Sequence, residues 1–105
     1  MHSAHEEAGR EFAARLKRAF PEGVEHVFLF GSVARGETRG RDSDVDVLVT
    51  VASGGSVSRE QVHEIAFEVT MEHGVAVTPH VVSQREYADR SSPLFETVAR
   101  EGVAL

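Results

Sequence analysis

Two aspartates one residue apart, Asp44 and Asp46, stand in the run Asp-Val-Asp-Val-Leu-Val-Thr-Val. Side chains alternate along an extended chain, so both carboxylates project from one face, with Val45 and Val47 on the other. Like charges held close together on an otherwise apolar strand are unfavourable unless a cation joins them. Oxygen ligands that leave coordination places for water and phosphate suit magnesium, which makes Asp44 and Asp46 candidate metal ligands. A purely structural alternative has Asp44 capping a turn and Asp46 pairing with Arg35 or Arg41. Upstream, Gly31 and Ser32 close an apolar run. The unobstructed glycine backbone and the serine hydroxyl can donate to phosphate oxygens, although the pair alone also reads as a strand end and helix cap. Arg35, Arg39 and Arg41 lie between these two features and could add positive charge. Together the groups fit transfer of a nucleoside monophosphate to a hydroxyl, with pyrophosphate held at the Gly31-Ser32 turn.

The elements that must hold these groups are legible in the pattern. Ser3 and Glu6 form a capping-box signal, and Ala8, Phe12, Leu16 and Phe20 recur every four residues until Pro21, which predicts a first helix. Val24 to Phe30 is predicted as a strand buried on both faces, Val27 and Leu29 on one and Phe28 and Phe30 on the other. A short turn of helix follows Ser32 as far as Gly36, and then polar loop from Glu37 to Ser43. Asp44 to Val51 is the second strand. Gly54-Gly55 marks a turn, Ser58 and Gln61 cap a second helix through Val62, Ile65, Ala66 and Val69, and Gly74 stops it. Val75 to Val82 is a third strand, with Pro79 marking an edge or a bulge. Ser83 and Glu86 open a short helix to Asp89, and Ser92-Pro93 opens a last one to about Glu101, with Gly102 as its stop. The expectation is an α+β, two-layer fold: a three-stranded mixed sheet with helices packed on it, the first two strands antiparallel and the second and third parallel.

Composition bounds the rest. With 105 residues, 41% hydrophobic and 27% charged, residues 1–105 are expected to form a single domain. Absence of cysteine excludes disulfides, thiol catalysis and thiolate zinc sites. The apolar runs are short and the first residues polar and acidic, so a cytoplasmic location without membrane insertion is expected. A net charge of −6 disfavours strong nucleic-acid binding. His2 and His5 fall in a disorder-prone end, and His26, His63 and His73 lack an acidic partner by spacing, so none is assigned a role. Tyr87 reads as a packing residue, and Leu94, Phe95 and Val98 as sheet cover. Oligomeric state, including a homo-oligomer, stays open.

The stretch Phe30-Gly31-Ser32-Val33-Ala34-Arg35-Gly36, followed by Asp42-Ser43-Asp44-Val45-Asp46-Val47-Leu48-Val49, resembles the minimal nucleotidyltransferase family of the DNA polymerase beta-like superfamily. That family carries Gly-Ser, Ala-Arg-Gly and then Ser-Asp-x-Asp about a dozen residues on. The resemblance implies the nucleotidyltransferase fold, magnesium, ATP as donor, and nucleotide contacts from Gly31, Ser32, Arg35, Arg41 and Ser43. It also implies a partner encoded alongside, commonly an all-helical HEPN toxin to which the family member is antitoxin, and in some cases adenylylation of that toxin. One departure stands out. Active members of the superfamily carry a third carboxylate on the strand after the second helix, whereas here Thr78 takes that position and His80 follows on the same face. His80 could serve as base or ligand, or be a surface histidine. Two functions follow: an enzyme transferring AMP to a protein or RNA hydroxyl, or a weakly active or inactive nucleotide-binding antitoxin that works by contact. Modification of an aminoglycoside is a third, disfavoured because no second domain to bind the antibiotic is expected.

Overall fold

The computed structural model describes residues 3–36, 44–53, 57–90 and 92–105. Helix α1 (Ala4–Ala19) starts at Ser3, whose hydroxyl accepts from the Glu6 N–H at 3.1 Å. Its four-residue stripe is buried as expected, with Ala8, Phe12 and Leu16 fully inside. Burying a side chain the size of Phe12 or Leu16 stabilises by about 1.5–3 kcal/mol. His5 also faces this core and is buried, so this part of the N-terminal segment is ordered helix and not the disorder-prone end expected.

Strands β1 (Val24–Phe30) and β2 (Val45–Val51) run antiparallel, and β2 runs parallel to β3 (Val77–Ser83) through α2 (Arg59–His73). Gly74 ends α2 in the left-handed region, φ 73°, with its N–H on Thr70 O. The third strand begins two residues later than expected, since Val77 is the first residue in register with β2. The short helix α3 (Gln84–Ala88) has the full capping box between Ser83 and Glu86, and α4 (Pro93–Glu101) carries proline in its first turn.

The sheet has four strands, not three, in the order β3-β2-β1-β4. The added strand, β4 (Val103–Ala104), pairs antiparallel with β1 at Phe28 and Leu29. Two residues are too few to show a period, which is why the pattern did not announce it. β3 lies at the sheet margin, as Pro79 foretold. Two of its outward-facing groups are taken by side chains: Val77 N–H donates to Thr70 Oγ1 at 3.0 Å, and Val81 O accepts from Arg59 Nη1 at 2.9 Å.

Strand alternation sorts the core into two clusters. Val27, Leu29, Val45, Val47, Val49, Val77 and Val81 pack with α1 and α2, while Phe30 and Leu48 meet Tyr87, Phe95 and Val98 of α3 and α4. Helices therefore cover both faces of the sheet. Tyr87 is a packing residue, stacked on Phe28 with centroids 5.4 Å apart and edge-on to Phe95 at 6.0 Å. Leu94, Phe95 and Val98 cover the sheet as the sequence suggested. Among the described residues, no helix is long and apolar enough to cross a membrane.

Candidate functional site

β1 delivers Gly31 at its C-terminal end, and antiparallel pairing sets Phe30 opposite Asp46. Gly31 has φ +80°, a backbone region that side chains other than glycine seldom adopt. Space gives the same answer. A Cβ at residue 31 would stand 2.8 Å from Asp46 Oδ2, so the glycine leaves the room that the carboxylate occupies.

Residues 31–36 then form a single helical turn, with Arg35 N–H on Gly31 O at 3.2 Å and Gly36 N–H on Val33 O at 3.1 Å. The predicted short helix is this one turn. Val33 is 3% exposed and joins the main core, which pins the turn to the sheet. Among the described residues, the Ser32, Val33 and Ala34 N–H groups donate to no protein acceptor, a concentration of unsatisfied donors of the kind that receives an anion.

Asp46 lies on the same sheet face as Phe30 and Leu48 and is half-buried, and Asp44, immediately before β2, is exposed and of the same parity. The Asp46 carboxyl is pushed above its ordinary value of 3.8, first by desolvation, with the Asp44 charge adding and His80 opposing. The parallel register sets Thr78 beside Asp46 and His80 beside Leu48. Thr78 therefore stands beside Asp46, where the resemblance implies a third carboxylate. His80 Nε2 lies 3.8 Å from Asp46 Oδ1, close enough for charge attraction and beyond a normal hydrogen bond. The Phe30 ring packs beside the imidazole with centroids 5.4 Å apart.

The structure thus brings together Gly31, Ser32, Asp44, Asp46 and His80. Arg35 starts from the same turn but reaches α4, where Nη1 is 3.4 Å from Glu101 Oε2. Glu101 gave no sign in the sequence because 66 positions separate it from Arg35. The supporting role of the Phe30 ring was equally hidden, since strand alternation predicts a face and not a neighbour. Arg39, Arg41 and Ser43 lie outside the described residues.

The donor set suits a hard divalent cation: two carboxylates on one face, one of them under mutual repulsion and partial desolvation, beside unsatisfied amides. Among the described residues, no group of three or more acidic, histidine or cysteine side chains is arranged to hold a metal.

Comparison with known proteins identifies the family and the fold. A family model described as nucleotidyltransferase domain matches residues 10–100. A candidate protein adenylyltransferase of Methanocaldococcus jannaschii is 29% identical over 101 residues, covering 95% of this chain and 96% of its own. A solved structure of a candidate minimal nucleotidyltransferase is 31% identical, with TM-score 0.62, over 99% of this chain and 98% of that one. A toxin-antitoxin crystal structure with AMP-PNP shares the fold at 22% identity and TM-score 0.61, over 89% of this chain and 68% of that one.

Proposed function

The chain belongs to the nucleotidyltransferase domain family, and from that premise we propose that it transfers AMP from ATP to a hydroxyl of a partner protein, a HEPN-type helical toxin, or of an RNA. The observation that carries this reading is the meeting of Asp46, with Asp44 near enough to add its charge, and the Gly31 turn with its undonated amides. Two relatives lend support: one is named for protein adenylylation, and another is a toxin-antitoxin complex holding an ATP analogue.

Asp44 and Asp46 would hold magnesium, which when bound supplies positive charge against the negative charge that builds on the α-phosphate. The turn's amides and the Ser32 hydroxyl donate to the β- and γ-phosphates and retain the pyrophosphate as it leaves. Arg41 and Ser43 extend these contacts, and Arg35 joins them on leaving Glu101. The acceptor oxygen bonds to the α-phosphorus as the bond to pyrophosphate breaks, and its proton passes to His80 Nε2. His80 is suited to this by its place on the Asp46 face, where the carboxylate stabilises the imidazolium that results.

Thr78, which stands where a carboxylate would be expected, favours a second reading: a nucleotide-binding antitoxin that silences its toxin by contact with little or no turnover. Incubation with α-labelled ATP, magnesium and the helical protein encoded beside it separates the two. Label on the partner is the outcome expected of the enzyme. A tight complex without label assigns the contact role, and neither label nor complex refutes both.

A further inference from the structure

Phe67 and Met71 project from α2 into solvent, 64% and 68% exposed, and with His63 they form a row at four-residue spacing. Beside it runs a second row at the same spacing, Glu60, Glu64, Glu68 and Glu72. Glu60, His63, Glu64, Phe67 and Glu68 line a shallow hollow of about 600 Å³ along this face. We propose that this face of α2 docks a basic amphipathic helix of a partner protein.

Rows four residues apart are the ridges that helices use to interlock, so the channel between them is shaped for the ridge of another helix. α2 has 15 residues, a length of roughly 22 Å at 1.5 Å per residue, enough for three to four turns of contact. Charge selects the occupant. Arg15 from α1 already binds Glu72 through two nitrogens, at 2.7 and 2.8 Å, and lies 3.8 Å from Glu68. Among the described residues Glu60 and Glu64 make no ion pair, so the N-terminal half of the row presents uncompensated negative charge beside Phe67. An apolar ridge flanked by arginine or lysine satisfies both rows at once. A second copy would set glutamate against glutamate, and nucleic acid would set phosphate against it.

The inference deepens the toxin-partner reading, on which it rests only for the partner's identity. The test uses a fluorescent helical peptide carrying two leucines four residues apart, flanked by arginines, and a control with glutamates in place of the arginines. Anisotropy titration of the whole protein should show the basic peptide binding at least about tenfold tighter than the acidic one, the scale of one good anchor. Phe67→Ser with Met71→Ser, and separately Glu60→Lys with Glu64→Lys, should each weaken it by about tenfold with circular dichroism unchanged. Absent binding, equal binding of both peptides, or undiminished binding by either variant overturns the proposal. So does a dimer in sedimentation equilibrium that Phe67→Ser dissolves. In a second arm, the helical protein encoded alongside should co-purify with the parent and not with the variants. Should that protein fail to bind while the basic peptide binds, the toxin assignment falls and the docking face stands.

Discussion

At Asp46 a carboxylate is kept partly out of water beside Phe30 and next to Asp44, with His80 Nε2 at 3.8 Å opposing the shift. Its pKa is raised, so ionisation is less favourable in the folded chain than in the unfolded one. This penalty is absent below the unfolded value near 3.8, grows as pH rises towards the folded value, and is complete above it. Asp46→Asn should therefore raise thermal stability at neutral pH without added metal, by about 0.5–1 kcal/mol, and lose that advantage below pH 3.8. The same change should lower transfer by about 10²-fold or more. Calorimetry across pH, paired with the labelled-ATP assay, checks both; a destabilised variant at neutral pH would contradict the account. Gly31→Ala tests the neighbouring position. It places a methyl 2.8 Å from Asp46 Oδ2 on a backbone at φ +80°, and should cost about 1–2 kcal/mol by urea unfolding while weakening ATP binding in calorimetric titration. That Gly31 closes β1 and that Asp46 shares a sheet face with Phe30 was legible because strand parity and glycine chemistry are local properties. Arg35 was legible as a cation, yet its engagement with Glu101 depends on where α4 folds back.

Helices and strands announced themselves where local signals were strong. Ser3, Ser58 and Ser83 each accept from an N–H three residues on, and Gly74 and Gly102 stand at helix ends where the sequence put them. β4 escaped notice because its two residues gain order from β1 rather than from any pattern of their own. Its placement turns on Gly102, where a Cβ would meet Val98 O at 2.4 Å, backbone that cannot yield without opening the last turn of α4. Gly102→Ala should accordingly cost about 1–3 kcal/mol and selectively deprotect the β1–β4 amides, including Leu105 N–H on Val27 O, in hydrogen exchange. Uniform protection with unchanged stability would show that the strand tolerates the change.

Across the whole molecule, Arg15, held in place by Glu11 of its own helix, ties α1 to α2 through Glu72. Arg15 holds the Glu72 carboxyl below its ordinary 4.5, so the link stabilises above that pH and fades as acid protonates Glu72 through its lowered folded value. Melting temperature should fall on acidification from pH 5 more steeply in the parent than in Arg15→Ala, and the difference should shrink in high salt. Parallel pH curves for the two proteins would dismiss the link. The margin of β3 has a further consequence. With Val77 N–H and Val81 O occupied by side chains and no N–H on Pro79 between them, that border is a poor template for an incoming chain. Heating or crowding should then yield amorphous precipitate before fibrils, and Pro79→Val should shorten the lag before thioflavin-positive growth.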